Sequence, residues 1–461
     1  MVAHISQLTE RLKRLHCLIH VRTLRLFGDP RWDEYGFDEY GDHLRGKWEH
    51  PPYSGDDEDC RLDPPDNIGP GVRLLSQLIS LLPGLKDCVY AWDLPIPHDL
   101  FQALEARRCR LHFELFQLPD LLRLPHERDK VTGPLDVRLA TSPLLHTVRV
   151  NAYDEYHSGG YFNFHLEGLL DMVKGLAPSL RQVSLLRREP ENYSTSGKTR
   201  WEWQGTELGT LASGLASQGS LTCLELAGNR STALKEMQAW HEATDFSTLE
   251  ELKLHEPVGP ATLAWMVDCC DLSSLRHLIL HLHGSDARCQ ATLNLFANIG
   301  LLTQLKLVAC IDQSLLSAIL KRHGPTLRDL VVVPEETSDI DNAFAAKLIA
   351  NHCPMLERLT VPICRRQGSV EEIAVYQAFS RLTRLEELHV LMEFVLAGSH
   401  AADLNTAIKN ALINHAIDPY LAVSIFGTIG NGPLRTAFYE LWPKQEGRHW
   451  TQTWHSFPLA I

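Results

Sequence analysis

The chain has 461 residues, 44% of them hydrophobic and 22% charged, with a formal net charge of −13. That balance argues against a nucleic-acid binder resting on phosphate contacts and against a polybasic membrane anchor, both of which need a basic stripe. No run of about 18 apolar residues occurs, so no membrane-spanning helix is predicted. The eleven cysteines are odd in number and irregularly spaced, and they fit reduced, packed thiols of the cytoplasm or nucleus better than a disulfide framework.

In chain order, residues 1–26 carry scattered charges and no unbroken apolar core, so they do not read as a secretory signal. They end in a strand-like phrase, Val21/Leu24/Leu26. Residues 28–71 are rich in Asp, Glu, Gly, Pro and aromatics, including Asp56-Asp57-Glu58-Asp59, and are predicted to form an acidic loop inside an N-terminal strand and capping region, 1–74. Leu85/Cys88/Tyr90 resembles the same phrase. Arg110-Leu-His-Phe-Glu-Leu-Phe116 forms another strand whose alignment the pattern leaves open. Leu145/Val148/Val150 and Leu180/Val183/Leu185 fit well. A second projecting loop is predicted over residues 187–204, with Trp201 and Trp203.

From Leu221 the phrase becomes regular. Leu-x-x-Leu-x-Leu recurs as Leu221/Leu224/Leu226, Leu249/Leu252/Leu254, Leu275/Leu278/Leu280 and Leu302/Leu305/Leu307. With valine in the last place it continues as Leu327/Leu330/Val332, Leu356/Leu359/Val361 and Leu385/Leu388/Val390. The first leucines are 28, 26, 27, 25, 29 and 29 residues apart. A fixed period of that length marks stacked units. The second and third leucines of each phrase alternate with polar residues, which is the period of a half-buried strand.

Helical stretches fill the intervals. Residues 261–269 place apolar residues three and four apart. In residues 312–324, Asp312 is predicted to cap the first turn, Lys321 to His323 to suit the negative end, and Gly324 to make a left-handed stop before Pro325. Residues 338–352 follow the same grammar, with Asp339 and Asp341 at the start. After Leu396 the repeat fades, and residues 397–461 are predicted to be a helical cap and tail, with helices near 402–416 and 420–429.

The asparagine and cysteine variants of the phrase carry a family resemblance. Leu221-Thr-Cys-Leu-Glu-Leu-Ala-Gly-Asn229, Leu302-Thr-Gln-Leu-Lys-Leu-Val-Ala-Cys310 and Leu356-Glu-Arg-Leu-Thr-Val-Pro-Ile-Cys364 match the leucine-rich-repeat signature. With His352-Cys-Pro-Met-Leu-Glu-Arg-Leu359 and Leu385-Glu-Glu-Leu-His-Val390, residues 75–430 resemble the fungal F-box/leucine-rich-repeat-like proteins. The resemblance implies an α/β leucine-rich-repeat solenoid, a curved horseshoe with parallel strands on its concave face and helices on its convex face. The repeat region proper is expected over 75–396, in about eleven units overall. It also implies the target-holding part of a ubiquitin-ligase substrate receptor. No Leu-Pro-x-Glu-Ile-like F-box opening is visible in residues 1–26, so target binding alone carries over, with ligase components as further expected partners.

Known catalytic motifs are absent: no Gly-x-Ser-x-Gly, phosphate loop, His-Glu-x-x-His or paired Cys-x-x-Cys. Gly427-Thr-Ile-Gly-Asn-Gly432 is read as a plain loop. Cys269-Cys270 and Cys353 are read as buried thiols, and Cys223, Cys310 and Cys364 as small buried residues. His277 and His281 are expected to face outward on one strand, with His283 just beyond it. No cofactor or metal site is expected. The concave positions mix both charges with apolar Ile279 and Val331, which suits a protein partner. Glu251, Lys253, His277, Lys306, Arg358 and His389 are the expected contacts. The expected function is a non-enzymatic protein-binding scaffold. The alternatives are an enzyme with an unrecognised site, and a dimerisation module using the edge of the N-terminal unit.

Overall fold

Each phrase becomes a short strand, and among the described residues a helix follows most of them. The computed structural model describes residues 2–27, 68–92, 96–116, 134–153, 156–157, 160–161, 165–188, 218–228, 232–282, 290–309, 311–333, 342–364, 368–394, 425, 427–429, 436–443 and 452–458. The elements begin with α1 (Val2–Arg14), β1 (Thr23–Phe27), α2 (Ile68–Ser80), β2 (Asp87–Ala91), α3 (His98–Arg107), β3 (Arg110–Phe113) and α4 (Pro134–Ala140). Then come β4 (Leu145–Tyr153), a small hairpin of β5 (Tyr156–His157) and β6 (Gly160–Tyr161), α5 (His165–Asp171), β7 (Gln182–Arg188) and β8 (Cys223–Ala227). There follow α6 (Leu234–Ala243), β9 (Glu251–Pro257), α7 (Pro260–Cys269), β10 (His277–His281), α8 (Gln290–Asn298), β11 (Gln304–Val308) and α9 (Gln313–His323). The last are β12 (Asp329–Val333), α10 (Asn342–His352), β13 (Arg358–Cys364), α11 (Val370–Phe379), β14 (Glu387–Phe394), β15 (Thr436–Pro443) and β16 (Gln452–Pro458).

The chain divides into two compact units, Met1–Asn229 with Ala239–Asp245, and Arg230–Gln238 with Phe246–Ile461. In the first, β1, β2, β3, β4, β7 and β8 pair in that order and all in parallel. In the second, β9 to β15 pair in parallel and β16 closes the series antiparallel to β15. Parallel neighbours need a crossover, and where the connection is described a helix supplies it. Both units are thus α/β, with a parallel sheet and helices.

Register explains why the leucines repeat. Leu252, Leu278, Leu305, Leu330, Leu359 and Leu388 stand opposite one another across β9 to β14. The first leucines, Leu221, Leu249, Leu275, Leu302, Leu327 and Leu356, are all 0% exposed, and Leu385 is 1% exposed. Each fully buried leucine contributes roughly 1.5–3 kcal/mol. The strand leucines and valines face the helices: Val332 and Val361 line a cavity of about 30 Å³ with Leu316, Ala346, Ile349, Val375 and Phe379. Its lining is mostly apolar, with Asn342 the polar exception.

Close stacking also fixes a glycine. A Cβ on Gly300 would lie 2.4 Å from the Ser273 carbonyl oxygen and 2.8 Å from that of Leu275. Both obstacles are backbone and cannot rotate away. Gly300→Ala is expected to lower unfolding free energy by about 1–3 kcal/mol, the ordinary cost of overpacking, read from the denaturant midpoint. A variant as stable as the parent would mean the turns are not packed this closely.

Several expectations change. Asp312 caps α9 as predicted, accepting from the Leu315 N–H at 2.7 Å. Gly324 does not take the left-handed stop: its φ is −47°, and it leads a 3-10 turn, Gly324–Thr326. Glycine is needed there for space, since a Cβ would meet the His352 carbonyl oxygen at 2.6 Å. Residues 68–71 of the expected acidic loop belong to α2, and 187–188 of the second loop to β7. The rest of both loops lies outside the described residues, as do 402–416, Cys310 and His283. The tail was expected to be helical, yet it contains β15 and β16. The Phe-Tyr-Glu-Leu-Trp run of β15 and Thr-Trp-His-Ser-Phe of β16 are rich in aromatic, strand-favouring residues. Gly427 to Ile429 are helical, in keeping with the helix predicted near 420–429 and not with the plain loop read over Gly427 to Gly432. Among the described residues, no helix is long and apolar enough to cross a membrane.

Seven cysteines have described side chains, and all seven are free thiols. Burial pushes Cys88, Cys109, Cys270 and Cys353 up to about 12, so they stay protonated at neutral pH. Cys223 and Cys353 are buried as expected, but Cys269 is exposed. It is the last residue of α7 and lies beyond that helix's buried positions, Thr262, Leu263 and Met266.

Candidate functional site

Because strand side chains alternate, burying the leucines against the helices presents their neighbours on the opposite face. Two rows result in the second unit. The first runs Glu251, His277, Gln304, Asp329, Arg358, Glu387, and the second Lys253, Ile279, Lys306, Val331, Thr360, His389. All six expected contacts stand in these rows, spread over five strands and not gathered in one pocket.

The rows are internally paired. Glu251 lies 2.7 Å from Lys253 Nζ and 3.6 Å from His277 Nδ1. The contact with His277 and, against the cost of burial, that with Lys253 hold the Glu251 carboxyl down at about 2. Farther along, Arg358 Nη2 and Nε reach Asp329 Oδ2 at 2.8 and 3.0 Å. Burial nevertheless raises the Asp329 carboxyl above its ordinary value, outweighing the attraction of Arg358. Arg358 keeps 45% of its side chain exposed, whereas Lys306 is only 8% exposed and is poorly placed to meet a partner. His389 is half-buried.

His281 departs from expectation. A register shift between Leu280 and His281 pairs the latter with Pro257, and His281 is buried, its Nδ1 3.1 Å from the His255 carbonyl oxygen. The extra residues, His255 and Glu256, belong to β9, and with His281 covered this strand carries one partly exposed histidine, His277, and not two.

The first unit holds a cluster that sequence reading missed. Between β3 and β4 the register moves from Leu111 opposite Leu145 to His112 opposite Thr147, leaving His146 as the extra residue of a bulge. His112 Nε2 lies 3.2 Å from Asp87 Oδ1, and His112 Nδ1 2.9 Å from Thr147 Oγ1. Thr147 in turn donates to Gln182 Oε1 at 3.1 Å. Arg110 Nε donates to the same Asp87 oxygen at 2.7 Å, and the His146 ring stands 5.2 Å from that of His112. Burial and then the neighbouring His112 lower the pKa of His146. Arg110 and His112 hold the Asp87 carboxyl below its ordinary value against the opposing effect of burial. Beside this chain, Ser184 donates to Glu225 at 2.6 Å, and Arg149 lies 3.2 Å from Glu114 and 4.0 Å from Glu225.

One sequence signal marked the irregularity. The place of the anchoring leucine before Leu111 falls to Arg108, which adopts φ 54°. Cys109, 0% exposed, fills the core one residue later. Among the described residues no group of histidine, cysteine or acidic side chains could hold a metal ion. No model of a known protein family matches the chain, and no curated protein matches it in sequence.

Proposed function

We propose that the chain is a leucine-rich-repeat solenoid whose strand-lined concave face holds a protein partner without catalysing a reaction on it. The observation that carries this reading is the pair of rows from Glu251 to Glu387 and from Lys253 to His389. They form a continuous strip of both charges with apolar Ile279 and Val331 between them. Such a mixture suits a folded or extended protein segment, and complementary charge sets which one binds. The resemblance to the fungal F-box/leucine-rich-repeat-like proteins supports the same reading and points to the target-holding part of a ubiquitin-ligase receptor in the cytoplasm or nucleus. Free, packed thiols suit either compartment.

The test reverses two charges, Lys253→Glu with Arg358→Glu. Arg358 is preferred to Lys306 because Lys306 is buried. Partially exposed ion pairs contribute about 0–1 kcal/mol each, so the fold should persist by circular dichroism. Affinity capture followed by mass spectrometry should show the main co-purifying protein reduced about tenfold or more, the effect of roughly 1.4 kcal/mol of lost contact. An unchanged set of captured proteins would refute this face.

An enzyme is the second reading, favoured by one observation: Thr147, His112 and Asp87 stand in one hydrogen-bonded chain, which becomes the order of nucleophile, base and orienting acid once the Thr147 hydroxyl turns from Gln182 to donate to His112. Labelling of Thr147 by an acylating probe, lost in His112→Asn, would put this reading first.

A further inference from the structure

We propose that the outer edge of β1 accepts an additional strand from a protein partner, an extended segment in which apolar residues alternate with acidic ones. β1 pairs with β2 along one edge, and among the described residues no strand pairs along the other. Its burial falls short of its neighbours'. Leu24 and Leu26 are half-buried, while Cys88, Tyr90, Leu111 and Phe113 at the matching positions are 0–3% exposed. Among the described residues, then, no strand continues the apolar layer past β1. The segment that ends in β1 also leaves apolar side chains exposed: Leu8, Leu15, Ile19 and Phe27 are 46–57% exposed, four of the nine exposed large hydrophobic residues among the described residues.

Charge selects the occupant. Residues 2–27 carry five arginines and lysines against one glutamate, in a chain whose net charge is −13. The strand itself presents exposed Arg25 between Leu24 and Leu26. Arg22 is engaged in holding the edge, donating from Nη1 to the Gly84 carbonyl at 3.1 Å and accepting from the Lys86 N–H at 2.8 Å. A second copy of the chain would bring an equally basic edge and be repelled. A bilayer would satisfy the leucines and not the open N–H and C=O groups of the strand, which cannot enter hydrocarbon unpaired. A partner strand satisfies both. A charged residue on an edge strand ordinarily discourages pairing; opposite an acidic residue, Arg25 turns that barrier into selectivity.

The experiment uses the full chain and two short fluorescent peptides, one alternating valine with glutamate and one alternating valine with lysine. The glutamate peptide should bind by anisotropy and slow hydrogen exchange at the amides of residues 23–27. Arg25→Glu should weaken that binding about tenfold or more and transfer the preference to the lysine peptide. A strand with only a structural role would show no such exchange of preference. Equal binding of both peptides, no binding of either, or binding without protection at residues 23–27 would overturn the proposal. So would capture of the chain by phosphatidylserine vesicles that Arg25→Glu abolishes, which would assign the edge to a membrane. A concentration-dependent dimer by light scattering would overturn it in favour of a second copy.

Discussion

Leu302→Ala is expected to lower the unfolding free energy by about 3–5 kcal/mol, and Leu301→Ala by less than about 1 kcal/mol. The chemistry removed is identical and the positions are adjacent. Leu301 is 43% exposed and Leu302 0% exposed. Leu302 also cannot shift to fill the space it would leave. Its N–H donates to His323 Nδ1 at 3.4 Å, and its carbonyl accepts from Thr326 Oγ1 at 2.7 Å. A side chain truncated on so fixed a backbone leaves a cavity, and cavity cost grows with how little the surroundings relax. Urea midpoints of the two variants decide the matter. Equal losses, or a larger loss at Leu301, would mean that the leucine series is not the register of the core.

Period was legible in the sequence because burial selects one side-chain type at one place in every unit. Leu221 through Leu385 had to be apolar, and the spacing of strands and helices followed. The two polar rows were legible for the same reason, since alternation fixes what lies opposite a buried leucine. What failed to appear in the sequence was local backbone shift. Nothing in His277-Leu-Ile-Leu-His281 distinguishes an outward His281 from a buried one, and the register shift beside it lies in β9, at His255 and Glu256. Likewise Asp87, His112, Thr147 and Gln182 come from four phrases separated by irregular intervals. His112 stands opposite Thr147 only because β3 and β4 pair with a slipped register. Gly324 illustrates a third limit. A glycine after a helix has two physical uses, a left-handed turn and close approach, and only the path of the neighbouring His352 backbone tells which applies.

His323→Leu is expected to cost about 2–4 kcal/mol at neutral pH, and the cost should shrink in acid. His323 has no exposed surface. Its Nε2–H donates to the Phe296 carbonyl at 2.9 Å while Nδ1 accepts from the Leu302 N–H. Both bonds require the neutral ring, and both backbone groups would be stranded by leucine, at about 1–3 kcal/mol each. Burial lowers the pKa of His323 below 6.5, against the opposing pull of the Phe296 carbonyl. Between that lowered value and 6.5 the unfolded chain binds a proton that the folded chain does not, so stability rises with pH across the window. The contribution is complete above about pH 6.5 and is lost as pH falls through the lowered value, at no more than about 1.4 kcal/mol per pH unit. His146 shifts in the same direction, and the parent alone would therefore mix two titrations. The difference between parent and His323→Leu isolates one of them. Chemical denaturation at several values from about pH 8 to about pH 4.5 should show that difference constant above 6.5 and narrowing below it. A difference that stays flat throughout, or widens in acid, would mean that the ring is not held neutral between Leu302 and Phe296.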